Sequence, residues 1–147
     1  MYNEKKTVPN GCGMKKAYFF ENRKKGIKTM KISEIATLLN ARVLCGEEGL
    51  DREVKSACGC DMMSDVLAFV KEQAVLITGL CNPQVVRTAQ MMDMACIVFV
   101  RGKTPPPEVI ALAEKADIVV LATSERMYVA CGVLYQNGLS GGSVVHG

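Results

Sequence analysis

The sequence contains no tryptophan, one histidine, four tyrosines and four phenylalanines. The single imidazole, His146, lies in the tail "SGGSVVHG", whose Gly/Ser-rich composition predicts fraying. The side chain best suited to proton transfer near neutral pH is therefore missing from the body of the chain. No apolar run approaches the ~18 residues of a membrane span, and no charged–apolar–small pattern at the start marks a secretory signal. Phosphate-binding signatures are missing too. There is no G-x-x-x-x-G-K-[ST] and no dinucleotide fingerprint, so kinase chemistry has no P-loop to rest on.

What the sequence does have is apolar mass. Of its 147 residues, 49% are hydrophobic, enough for one domain with a sizeable core. The net charge of +3 divides unevenly. Residues 1–29 carry eight Lys and Arg against two Glu, and residues 30–147 carry ten basic against thirteen acidic side chains. The body offers no clustered basic face, which argues against nucleic acid as a partner. The basic leader, residues 1–29, shows neither strand alternation nor a helical stripe. It is expected to be a disordered tail or to precede the true start at Met30. Seven cysteines, an odd number, fall at 12, 45, 58, 60, 81, 96 and 131. Several sit in apolar runs, as free thiols do in a reducing cytoplasm, the expected compartment.

From Met30 onward strands and helices alternate. The stretch "SEIATLLN" places Ile35, Leu38 and Leu39 on one helical face, with Ser33 as the expected N-cap. "ARVLCG" and "EVKSACGC" each read as one strand, and "DMMSDVLAFV" as a helix opened by Asp61. "AVLIT", "CIVFV" and "DIVVLA" are bare apolar runs, the pattern of parallel strands covered on both faces. Helices follow at Pro83, after "TPPPE" and after "TSE", each with an apolar stripe. These units imply parallel crossovers. The predicted fold is α/β, a mainly parallel sheet with flanking helices over roughly residues 30–140, followed by a flexible tail, 141–147.

Ligands of open α/β sheets gather beyond the carboxyl ends of the strands. Three predicted strand ends supply the candidates: Thr78, Gly79 and Asn82 on the first, Arg101 and Gly102 on the second, Thr123 and Ser124 on the third. Hydroxyls, backbone N–H groups and the guanidinium suit a phosphate or nucleotide. The same residues suit plain turns and helix caps, with Asn82 capping the helix at Pro83 and Thr123 or Ser124 capping the last one. Cys58 and Cys60 point to one face of a strand, yet zinc sites favour C-x2-4-C pairs with a second pair, so no metal or cofactor is assigned. Asp61 and Asp65 read as first-turn dipole compensation. No catalytic constellation emerges, and the protein is not expected to be an enzyme.

The order of "MKISEIATLLNARVLCG", "DMMSDVLAFV" and the stretch from "LITGLCNPQVV" to "VLYQNGL" resembles the DRTGG domain family over residues 30–139. The tract that names the family is not present as written; its slot after "AVLIT" holds Gly79-Leu80-Cys81-Asn82-Pro83. The resemblance implies a fold like the amino-terminal domain of HPr kinase/phosphorylase. It also implies a regulatory or assembly role, as in larger proteins that join this domain to phosphotransacetylase domains or to CBS pairs of pyrophosphatases. Short stand-alone members accompany iron-only hydrogenase and electron-transfer subunits. The expected function is a non-enzymatic module, dimeric, that senses a small anionic ligand or docks on a redox or phosphotransfer enzyme. The alternative is an assembly subunit of a hydrogenase or electron-transfer complex without a small-molecule site, whose contact surface would be the helix 124–137 with Tyr128 and Tyr135.

Overall fold

The computed structural model describes residues 28–69 and 73–142. In chain order the elements are β1 (Met30–Lys31), α1 (Ile32–Leu38), β2 (Arg42–Cys45), a 3-10 turn (Glu47–Gly49), β3 (Glu53–Val54), β4 (Ser56–Gly59) and α2 (Met63–Phe69). They continue with β5 (Ala74–Thr78), α3 (Pro83–Met91), β6 (Cys96–Phe99), α4 (Pro107–Lys115), β7 (Val119–Ala122) and α5 (Met127–Gln136). The main sheet has the order β2-β7-β6-β5-β4. Its strands β4 to β7 are parallel, while β2 joins β7 antiparallel with an irregular register between Val43 and Cys45. This is the expected α/β fold with a mainly parallel sheet and flanking helices.

The three central strands are buried throughout, which explains why their sequences show bare apolar runs rather than alternation. Period-two geometry still sorts their side chains. Val75, Ile77, Val98 and Leu121 face one core with Ile32, Ile35, Ala130 and Leu134 from α1 and α5. Leu76, Ile97, Phe99 and Val120 face the other with Met63, Val66, Val85, Ala89, Val109 and Ala113 from α2, α3 and α4. Two helices therefore cover one face of the sheet and three the other. The three helices on one face connect strands that advance in one direction, as successive crossovers of one hand require.

Four helices end alike. α1, α3, α4 and α5 are followed by Asn40, Asp93, Asp117 and Gly138, all with positive φ. The next residue's N–H then bonds back five residues: Ala41 to Ala36, Met94 to Ala89, Ile118 to Ala113 and Leu139 to Leu134, at 2.8–3.0 Å. This closure satisfies helix carbonyls and turns the chain within two or three residues. The outer edge of β4 is not left bare, because the Ala57 N–H donates to the Ser140 carbonyl at 2.9 Å.

Several local expectations need correction. Ser33 lies inside α1; the cap is Lys31, without a side-chain bond, and the Ser33 N–H reaches the Leu50 carbonyl. "EVKSACGC" is two strands, because the Lys55 N–H turns to Gln73, leaving β3 to pair with β1 in a separate two-stranded sheet and β4 with β5. Asp61 does not cap α2, since its carboxylate is committed to the neighbouring strand end. The last helix is preceded by Arg126, and neither Thr123 nor Ser124 caps it. Residues 1–27 of the leader 1–29 and residues 143–147 of the tail 141–147, with His146, lie outside the described residues.

Candidate functional site at the carboxyl rim

Parallel strands deliver their carboxyl ends to one side of the sheet, so Gly59, Thr78, Phe99 and Ala122 lead into loops on a common rim. The loops are stitched together. Thr78 donates its hydroxyl to Asp61 Oδ1 at 2.9 Å, and the Gly79 N–H donates to the same oxygen at 2.8 Å. Arg101 Nη2 reaches Asp61 Oδ2 at 3.4 Å. One carboxylate from the β4–α2 loop thus binds the ends of both β5 and β6.

The next loop pair is joined through the backbone. Arg101 and Gly102 both take positive φ, 63° and 66°, and their N–H groups donate to the carbonyls of Glu125 at 2.7 Å and Thr123 at 3.0 Å. Thr123 is buried, and its hydroxyl donates to the Leu39 carbonyl at 2.7 Å. The β6 loop leads to the face covered by α4 and the β7 loop to the face covered by α5. Diverging loops of this kind open a crevice in many α/β proteins. Here two backbone bonds join the diverging loops.

All seven sequence candidates except Asn82 and Ser124 enter this network. Asn82 caps α3 through the Val85 N–H at 3.3 Å. Ser124 is exposed. The N–H groups of Gly79 and Gly102, expected to face a ligand, are engaged by Asp61 and Thr123 instead. The three strand ends do gather on one rim, as the site requires. What the sequence reading missed is Asp61. Its signal was an acidic residue just past one strand end, beside a strand ending in Thr-Gly.

The Arg101 guanidinium lies across Gly79. A Cβ on Gly79 would overlap Nη2 and stand 2.7 Å from Nε. The side chains of Arg101 and Asp61 are 46% and 45% exposed, so solvent reaches the pair. Partial burial disfavours the Asp61 anion, but the Gly79 N–H, the Thr78 hydroxyl and the Arg101 charge prevail and hold its carboxyl below the ordinary carboxylate value. The surroundings of Asp61 favour its anion.

The thiols behave differently. Burial, with Cys60 and Cys131 nearby, pushes Cys58 up to about 11. Burial raises Cys45, Cys81, Cys96 and Cys131 as well. Such thiols are poor nucleophiles at neutral pH. Among the described residues no group of three or more His, Cys, Asp or Glu side chains is placed to hold a metal ion. A separate groove of about 370 Å³ is lined by Lys28, Met30, Ser33, Glu34, Thr37, Leu38 and Asn137, none of them a rim candidate.

Comparison with known proteins gives this geometry a family. The model of the DRTGG domain matches residues 34–136. The chain belongs to the DRTGG domain family. No curated protein matches the sequence. Among solved structures, this DRTGG domain is similar to the CBS and DRTGG domains of the regulatory region of Clostridium perfringens pyrophosphatase, complexed with the activator diadenosine tetraphosphate. The TM-score is 0.59 at 17% identity, covering 88% of this chain and 74% of that one. At that identity the likeness carries the fold. No helix among the described residues is long and apolar enough to cross a membrane.

Proposed function

We propose that this DRTGG domain is a non-enzymatic regulatory module that senses a small anionic ligand, a nucleotide or another phosphate-bearing molecule, at the carboxyl rim. One observation carries the reading. Thr78, Gly79 and Arg101, chosen from the sequence as an anion-binding set, already converge on an anion, the carboxylate of Asp61. A phosphate presents the same acceptor chemistry with more oxygens and charge. The regulatory setting of the C. perfringens neighbour, which binds a dinucleoside polyphosphate, supports the ligand class. Because Gly102 and Arg101 spend their N–H groups on the next loop, the guanidinium, the Thr78 hydroxyl and the Gly79 N–H would do the holding. Ser124 and Asn82 would stand at the margin. No cofactor is required, and no catalytic residue is assigned.

Thermal shift across phosphate, ATP, AMP and diadenosine tetraphosphate tests the reading. A ligand at 100 times its Kd stabilises the fold by about 2.7 kcal/mol. Arg101→Met should abolish that gain. A panel without any shift would dismiss the rim as a ligand site.

A second reading has its own observation. On α5, Tyr128 is 90% exposed, with Val129 and Tyr135 also open to solvent. These apolar side chains suit a contact surface, either for a homodimer or for a hydrogenase or electron-transfer partner in the cytoplasm. In that reading the domain is an assembly subunit and the rim is only structural. Light scattering on the purified chain separates the two: a monomer with a nucleotide-dependent melting point favours sensing, and a stable dimer silent to the panel favours assembly.

A further inference from the structure

Asp61 is placed to do more than hold the rim together. Its carboxylate takes the positions a ligand oxygen would need: the Gly79 N–H at 2.8 Å, the Thr78 hydroxyl at 2.9 Å and Arg101 Nη2 at 3.4 Å. The first two contacts are short and directed at one oxygen. The third is long and half exposed, and it involves the only ion pair of the rim among the described residues. A bound phosphate would meet a like charge a few ångströms away, and like charges on one cationic centre exclude each other.

We propose that Asp61 is a built-in competitor for the rim, an intramolecular anion that an incoming phosphate must displace from Arg101 and Gly79. This rests on the reading of the rim as an anion site and adds the device that sets its affinity and output. Displacement has a structural consequence, because Asp61 lies in the short link between β4 and α2. On one side of it the Cys60 N–H is held by Ile77 at 3.0 Å. On the other, the Met62 N–H and carbonyl both contact Cys60 Sγ, at 3.3 and 3.4 Å, so the link is a compact turn. Releasing the carboxylate turns the link outward and shifts the start of α2, where Met63 is buried and Met62 is 60% exposed. Ligand occupancy is thereby written onto the surface around Met62 and Leu67, which is exposed as well.

The test is calorimetric titration with inorganic tripolyphosphate, ATP and adenosine, on the full chain and on Asp61→Asn, Asp61→Ser and Arg101→Met. The Asp61→Asn variant keeps an oxygen for Thr78 and Gly79 but drops the charge; Asp61→Ser gives a second, smaller substitute if the amide variant folds poorly. The expected result is binding of tripolyphosphate and ATP about two- to fivefold tighter in the neutral variants, the scale of one half-exposed ion pair. Adenosine should be unaffected, and Arg101→Met should lose the anions. Unchanged or weaker affinity in both neutral variants, with wild-type binding intact and dependent on Arg101, would overturn the competitor role alone. No binding of either polyphosphate to any of the proteins would overturn the anion site and the competitor together.

Discussion

Replacing Gly79 with alanine puts a methyl group where the Arg101 guanidinium lies, and the structure says which side yields. Gly79 has no positive φ, so alanine suits its backbone, and the closest crowding comes from the far end of a flexible side chain. Loss of a half-exposed ion pair costs up to about 1 kcal/mol. Replacing Gly by Ala at a compatible site restores about 0.4–1 kcal/mol through the unfolded chain. These effects nearly cancel, and Gly79→Ala should change stability by less than about 1 kcal/mol while swinging Arg101 off the rim. Gly46 provides the contrast. Its φ is +82°, and an added Cβ would stand 2.9 Å from the Val119 Cα, which is backbone and cannot swing away. There the left-handed conformation alone costs about 1–2 kcal/mol for an L-residue, and the overlap adds to it, so Gly46→Ala should lose at least about 2 kcal/mol. Urea denaturation of both variants, followed by circular dichroism, measures the difference. Equal losses in the two would refute the claim that the crowding over Gly79 is a movable side-chain end.

The other expectations follow from single groups. Thr123→Val removes the buried donor to the Leu39 carbonyl and should cost about 1–3 kcal/mol in the same assay. Thr88 is fully buried with no hydrogen-bond partner for its hydroxyl among the described residues, so Thr88→Val should be neutral or stabilising, raising the melting temperature by up to a few degrees. Asp61 has a folded-state pKa below its unfolded value, so its contribution is present above about pH 4 and is lost as pH falls through the lower, folded value. Wild type should therefore lose stability relative to Asp61→Asn over that acid window, and parallel pH curves for the two would contradict the assignment. Tyr128→Ser, at a side chain 90% exposed, should leave the melting temperature unchanged and should weaken any dimer seen by light scattering.

The architecture was readable because burial on two faces leaves a direct mark. "AVLIT", "CIVFV" and "DIVVLA" have no polar alternation since both sides of β5, β6 and β7 meet helices. Helix stripes such as Val85 with Ala89 and Ala130 with Leu134 were equally direct. Edges were harder. β2 is only partly buried and joins antiparallel, and periodicity says nothing of strand direction. The recurrent helix ends at Asn40, Asp93 and Asp117 were also legible in principle, as a small polar residue followed by an apolar one ahead of a strand. Only the Gly138 end was read that way. At the rim, topology alone gathered Thr78, Gly79, Arg101, Gly102 and Thr123. Their partners came from residues distant in the chain: Asp61 for Thr78, 17 positions away, and Leu39 for Thr123, 84 positions away. Such pairings have no local sequence signature. Asp61 in particular looks like any helix-opening aspartate until β5 is placed beside β4.

The central claim is that the rim formed by Thr78, Gly79 and Arg101 receives a phosphate-bearing ligand. Amide NMR of the isotope-labelled chain titrated with ATP tests it most directly. The account predicts saturable shifts of the Gly79 and Thr78 resonances, with Asp61 and Met62 following. Resonances that stay unmoved there, or move only around the Ser33, Glu34 and Thr37 groove, would contradict it.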